Sequence, residues 1–251
     1  MAICVGYFQE DHTHAGTVTV AGYVSPKARW RFFDERWPRA LRAEGLTAFN
    51  GLDYIRSTGE FAQGWHDDES RRARLISTLA RLTQQHVLLG FSCSLPLDDY
   101  EAVNRDYRFA ETAGGPYGVC AGCVMVRVQR WMAEHHPEDL TLFVFEDGDV
   151  DHREIRRILV AEGIDKGEPV QLWPRRWKDE RGRQRFLRPF EACDLLIPEC
   201  ESGMPARLAP HASWEHELID RGRLSQICQV LAVERRSATI VDGQKCSGFS
   251  S

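Results

Sequence analysis

The sequence predicts an α/β domain with a mixed sheet that opens with an antiparallel hairpin and carries helices on both faces. Two β-prone segments, Ala2–Gln9 and Thr17–Tyr23, flank a short polar turn and are typical of a hairpin. Beyond them, apolar segments of strand length alternate with segments whose apolar residues recur every three or four positions. Such interleaving is typical of α/β domains and not of all-helical or all-strand ones.

Apolar spacing and helix-starting residues predict three main helices. Ser25 and Pro26 favour a helix start, because serine can cap a helix and proline suits its first turn. Pro38 should kink or split this helix, since proline removes one backbone donor. The predicted apolar faces are Trp30, Phe33, Trp37 and Leu41; Leu75, Ile76, Leu79 and Leu82; and Cys120, Val124, Val128 and Trp131.

Apolar runs predict the later strands. These are His86–Leu95, Leu140–Phe145 and Val170–Trp173. Further helices are expected over Asp151–Ala161, from Phe186 to Pro198, and in the tail after Ser225, with a strand at Ala238–Val241.

Composition excludes several classes of protein. The chain has 251 residues, 43% hydrophobic and 27% charged, and these values argue against disorder. No apolar run approaches the roughly 20 residues of a membrane span. The first residues lack a basic region typical of a secretory signal, so we expect a cytoplasmic protein without membrane partners.

Acidic side chains follow predicted strands and could gather at one site. Glu10 and Asp11 follow the first strand, Glu146 follows Leu140–Phe145, and Asp194 lies in the late helix. Carboxylates at the ends of strands can together bind Mg²⁺ or Mn²⁺. The alternative is that these residues are acidic turns that add solubility and cap helices. Asp194 is surrounded by apolar residues, so it must pair, bind a cation or reach the surface.

A basic stretch interleaved with aromatic residues precedes Asp194. Its members are Arg175, Arg176, Lys178, Arg181, Arg183, Arg185 and Arg188, with Trp173, Trp177 and Phe186 between them. Basic and aromatic side chains together suit phosphate neutralisation and base stacking. A solvated turn around Gly182 is the alternative.

The cysteines and histidines give weaker signals. Cys120 and Cys123 have the spacing of a metal-binding pair, but no second pair lies near them in the sequence. We therefore expect no zinc site, and we expect both thiols to be core residues. His12 and His14 could bind a metal or phosphate, or could be ordinary loop residues.

Several short motifs, in order, resemble a known family. The chain is similar to the bacterial "domain of unknown function 3800" family, which is grouped with RNase H-like folds. The matching segments are Tyr7–His14, Ala21–Val24, Phe49–Tyr54, Gly59–Trp65, Pro116–Cys120, Val144–Gly148 and Phe190–Glu199. The resemblance implies an RNase H-like domain over residues 1–203. Residues 204–251 lie outside the resemblance, and we expect them to form a helical and strand extension that packs on the same domain; a partner surface is the alternative.

The resemblance also implies an acidic site with three departures from the family pattern. When the family's site residues are placed at the matching positions of this sequence, the site includes Glu10, Glu146 and Asp194, with Asp53 nearby. Gln9 stands where the family motif has its leading aspartate, Asn50 stands for a histidine, and Glu191 stands for a glutamine. Asp11 would share the strand face of Gln9 and could replace the lost ligand.

The resulting hypothesis is a metal-dependent nuclease or phosphodiesterase. The expected Mg²⁺ or Mn²⁺ ligands are Asp11, Glu146 and Asp194, and Glu10 completes the catalytic set. Four residues are expected around the site: Gln9, Asp53, Glu191 and Glu199. Nucleic acid is the expected partner, bound by Arg175, Arg176, Lys178, Arg183 and Arg185. The alternative is a catalytically inactive RNase H-like domain that binds a protein or nucleic acid within a larger complex.

Overall fold

A six-stranded mixed sheet forms the centre of the protein. The computed structural model describes residues 1–11, 16–108, 110–111, 114–146, 170–195 and 214–227. The strands of the sheet are β1 (Ile3–Asp11), β2 (Thr17–Pro26), β3 (Leu89–Pro96), β4 (Leu140–Glu146), β5 (Val170–Trp173) and β8 (Trp214–Leu218). A separate two-stranded hairpin contains β6 (Arg176–Lys178) and β7 (Gln184–Phe186).

The strand order is β5-β4-β1-β2-β3-β8. Strands β1, β2 and β3 are successively antiparallel, and Tyr7 of β1 lies opposite Tyr23 of β2. The other three neighbouring pairs are parallel, and Tyr7 also lies opposite Val144 of β4. The mixed α/β class and the opening hairpin are therefore confirmed.

Helices pack on both faces of this sheet. They are α1 (Lys27–Ala43), α2 (Gly51–Arg56), α3 (Glu69–His86), α4 (Leu97–Tyr107), α5 (Pro116–His135) and α6 (Arg188–Cys193). Alternate residues of β1 enter different cores: Val5 packs with α1, α3 and α6, whereas Cys4 and Phe8 pack with α4 and α5. We call these sides the α1 face and the α5 face.

The start of α1 differs from the prediction. Ser25 belongs to β2, and its hydroxyl donates to the carbonyl of His86 instead of capping the helix. Pro38 lies inside α1, which nevertheless runs through 17 residues. Buried Trp37 and Leu41 anchor the helix on either side of the proline, and their packing offsets the missing backbone donor.

The late helix is also shorter than predicted. Phe186 belongs to β7, and α6 covers only six residues before Asp194. Pro189 lies in the first turn of α6. The helix cannot extend further toward the N-terminus, because proline inside a helix clashes with the preceding turn. Helices α2 and α4 and strands β6, β7 and β8 were not predicted. The expected helix over Asp151–Ala161 and the strand Ala238–Val241 lie outside the described residues.

The described part of residues 204–251 contributes to the main sheet. Strand β8 pairs with β3 in parallel, and residues 221–227 are helical. Among the described helices, none is both long and apolar enough to cross a membrane.

We predict that Gly22→Ala strongly destabilises the fold. A Cβ at this position of β2 would lie 1.9 Å from the carbonyl oxygen of Tyr7, where neither backbone can move aside. The free energy of unfolding should fall by about 3 kcal/mol or more in a denaturant titration. The matched control is Gly222→Ala, on an exposed helical position with only ordinary contacts, which should be neutral or stabilising. Equal stability of the Gly22 variant and the wild type would contradict the register of β1 and β2.

Candidate functional site

Gln9 and Asp194 meet on the α1 face of the sheet. Gln9 follows Val5 and Tyr7 on alternate positions of β1, so its side chain shares their face. Asp194 comes directly after α6, which packs against β1 and β2. The amide nitrogen Nε2 of Gln9 donates to Oδ1 of Asp194 at 2.6 Å. Both side chains are buried.

The second carboxylate oxygen of Asp194 is held by backbone. The amide of Gly51 donates to Oδ2 at 2.9 Å. A Cβ on Gly51 would lie 2.9 Å from the carbonyl oxygen of Asp194, so the close approach of the two chains needs a glycine here.

Arg175 completes the cluster from the loop after β5. Trp173, the last residue of β5, lies opposite Glu146 of β4, so Arg175 emerges beside that carboxylate. Its backbone carbonyl accepts from the amide of Leu187 at 2.8 Å, which ties it to the residue before α6.

The guanidinium of Arg175 contacts three acceptor side chains. It donates to Asp194 through both terminal nitrogens, at 3.0 Å to Oδ2 and 2.9 Å to Oδ1. It also lies 3.1 Å from Glu146 and donates to Oε1 of Gln9. Burial alone would lower the pKa of Arg175, but the two carboxylates raise it above the usual value. We call Gln9, Glu146, Arg175 and Asp194 the Arg175 cluster.

The Arg175 cluster does not fit a divalent cation as it stands. Two carboxylates and one neutral amide face a guanidinium that already donates to the oxygens a metal would need. Its positive charge would also repel Mg²⁺ or Mn²⁺. Within the described ranges, no three His, Cys, Asp or Glu residues gather in a metal-binding arrangement. These acceptor side chains are instead matched to the positive charge of the protein's own Arg175.

The other predicted acidic residues lie in different places. Glu10 follows Phe8 by two positions on β1, so its side chain belongs to the α5 face, opposite to Gln9. Asp11 is the last residue of β1, and its side chain lies outside the described part of the chain, as does Glu199.

Glu191 and Asp53 organise the segments that flank the Arg175 cluster. Glu191 is buried and accepts from Trp37 Nε1 at 2.7 Å and from the amide of Phe49 at 3.1 Å. Burial raises the pKa of Glu191, while a 2.5 Å contact with Arg188 opposes that shift. Asp53 accepts from the hydroxyl of Thr58 at 2.7 Å. Together these contacts fix the segment that presents Gly51 to Asp194.

The residues of β6 and β7 form a basic hairpin next to the cluster. We use this name, the basic hairpin, for residues 176–186, which contain five basic and two acidic residues. Arg176, Lys178, Arg183 and Arg185 are exposed. Arg183 and Arg185 share the carboxylate of Asp179, at 2.9 and 3.0 Å.

Two tryptophans lie at the base of the basic hairpin. Trp173 is 43% exposed, and its ring meets that of Trp177 edge-on with the centroids 6.2 Å apart. Exposed aromatic rings beside basic side chains are the arrangement that nucleic-acid-binding surfaces use.

The two cysteines of the CxxC spacing lie on α5. Cys120 is buried in the core of the α5 face, and its thiol lies 3.7 Å from the carbonyl oxygen of Val18. Cys123 is half-buried against the same core. His12 and His14 lie outside the described residues.

Comparison of the chain with protein-family models, curated proteins and solved structures finds no match. The resemblance to an RNase H-like family therefore stays a prediction.

We predict that Asp194→Ala destabilises the protein because it removes one of the two carboxylates that compensate the part-buried charge of Arg175. The loss in free energy of unfolding should be about 2 kcal/mol, because hydrogen bonds between charged groups are lost while Glu146 still pairs with Arg175. Asp106→Ala is the matched control, since Asp106 pairs with Arg221 3.3 Å away on the exposed surface and should leave stability close to wild type. Denaturant titration of both variants checks this. Similar small losses in both would show that the Arg175–Asp194 pair is not a structural constraint.

Proposed function

We propose that this chain is an RNase H-like domain that binds nucleic acid through the basic hairpin and does not cleave it. The observation that carries the proposal is the two-point contact of Arg175 with Asp194, together with its contact with Glu146. The guanidinium occupies the carboxylates that the alternative, a metal-dependent hydrolase, would require.

The sheet supports the RNase H-like part of the proposal. Three successive antiparallel strands are extended by β4 and β5, both parallel to β1. Parallel neighbours place the ends of β1 and β4 together, and Gln9 and Glu146 are brought into contact with one guanidinium there. This is the edge at which the family resemblance implies an acidic site.

Charge and exposure support nucleic acid as the partner. The basic hairpin follows the edge strand β5 along the chain and carries five cationic and two acidic side chains, although the whole chain has a net charge of −5. Phosphate contacts by arginine and lysine supply affinity through counterion release. Trp173 lies beside them with an exposed ring on which a base can stack.

A metal-dependent nuclease remains a second candidate. The observation that favours it is the convergence of Glu146 and Asp194 on one small region of the α1 face. This activity would require Arg175 to leave the carboxylates. A protein partner, the other form of the non-catalytic hypothesis, is favoured if no nucleic acid binds.

Direct binding and cleavage assays separate these candidates. Labelled single- and double-stranded DNA and RNA are incubated with the protein in Mg²⁺, Mn²⁺ or EDTA. We predict binding that EDTA does not change and intact oligonucleotides in every buffer. Cleavage that requires a divalent cation and disappears in Glu146→Ala/Asp194→Ala would contradict the proposal, provided that the variant is folded.

We predict that Arg176→Ala/Lys178→Ala weakens nucleic-acid binding. Loss of two phosphate contacts should reduce the slope of log affinity against log salt by about 2. The slope is measured by fluorescence anisotropy over a range of salt concentrations. Arg31→Ala/Arg81→Ala, which removes the same charge from exposed positions on α1 and α3, is the control and should keep the wild-type slope. Equal losses in both double variants would show that binding depends on net charge and not on the basic hairpin.

A further inference from the structure

We infer that Arg175 and Gln9 together take the place of a divalent cation and one carboxylate, so that removal of Arg175 converts the cluster into a divalent-cation site. This inference rests on the proposed function, in which the acidic cluster of an RNase H-like sheet has been neutralised. It goes further because it assigns the compensation of the carboxylate charge to two residues, Arg175 and Gln9.

The position of the guanidinium supports the first half of the inference. Arg175 lies between Glu146 and Asp194, with contacts of 3.1 Å to the first and 2.9 Å to the second. A single positive group thus bridges two carboxylates that come from different elements, as a bound metal ion does. The planar fork of arginine also satisfies both oxygens of Asp194, which a lysine ammonium could not do with the same geometry.

The hydrogen bonds of Gln9 support the second half. Its Nε2 donates to Asp194 at 2.6 Å while its Oε1 accepts from Arg175. An aspartate here would accept from Arg175 but could not donate to Asp194. Two carboxylate oxygens would then face each other at close range and would repel unless a cation lay between them. Glutamine at position 9 is therefore suited to an arginine at position 175.

Removal of Arg175 would leave two carboxylates without their cation. Asp194 is 7% exposed and Glu146 is half-buried, so their charges cannot rely on water alone for compensation. Without the guanidinium, the cluster must bind another cation or take up a proton. Carboxylate and amide oxygens are ligands that Mg²⁺ and Mn²⁺ accept, and a further carboxylate at position 9 should strengthen binding.

Mn²⁺ itself is the probe for this inference. Binding to the purified full chain is followed by electron paramagnetic resonance of the free ion and by the shift of the melting temperature. We predict no saturable binding to wild type, saturable binding to Arg175→Ala, and at least about tenfold tighter binding to Gln9→Asp/Arg175→Ala because that variant adds one ligand charge. The melting temperature of both variants should rise with Mn²⁺.

The control is Arg31→Ala, which removes an exposed arginine charge from α1 and should behave as wild type toward Mn²⁺. Arg175→Gln serves if the alanine variant does not fold, since it removes the charge but keeps a polar side chain. Saturable Mn²⁺ binding to wild type would overturn the inference, and so would a folded Arg175 variant that binds no Mn²⁺. Wild-type binding that appears only with an oligonucleotide present would also overturn it, because Arg175 would then be displaced by substrate.

The oligonucleotide assay keeps this test separate from the proposed function. Arg175→Ala retains the basic hairpin and should still bind nucleic acid. A folded variant that binds oligonucleotide but no Mn²⁺ contradicts only the replacement of a metal ion by Arg175. Wild-type protein that binds neither Mn²⁺ nor any oligonucleotide contradicts only the nucleic-acid part of the proposed function.

Discussion

The part-buried ion pair between Arg175 and Asp194 is the interaction on which the rest of the candidate site depends. It joins the loop after β5 to the end of α6, and the hydrogen bonds of Asp194 extend this connection to Gln9 and to Gly51. Asp194 is buried, and its charge would be costly there without a cationic partner. Arg175 supplies that partner and is shared with Glu146. The pair thus fixes the relative positions of four segments that are far apart in the sequence.

Local patterns were sufficient to predict much of the fold. Alternating and continuous apolar runs identify the opening hairpin and β4, and apolar spacing identifies α1, α3 and α5. The basic stretch was identified from the sequence, but its two strands were not, because they have three residues each and the charges resemble those of a solvated turn. The length of α6 was overestimated because apolar residues continue past Asp194 in the sequence. In the structure the helix starts beside Pro189 and ends at Cys193, so it has only six residues.

Prediction of the candidate site was more limited. The apolar surroundings of Asp194 showed in advance that it would need a partner, but not that the partner would be Arg175. That pairing depends on the path of the basic hairpin, which returns the chain to α6 through the Arg175–Leu187 hydrogen bond. Successive residues of a strand point to opposite faces, so Gln9 and Glu10 lie on different sides of the sheet. The structure shows that Gln9 is the one that faces Asp194. The alternation of faces along a strand can be predicted from the sequence, but the face on which each helix packs cannot.

The role of Arg175 as the cation of this site is tested most directly by a crystal structure of the wild-type protein grown with Mn²⁺, with the ion located by anomalous scattering. We predict no Mn²⁺ between Glu146 and Asp194, and the guanidinium of Arg175 in contact with both carboxylates. A manganese ion bound by these two carboxylates, with Arg175 displaced, would contradict the claim that the protein supplies its own cation at this site.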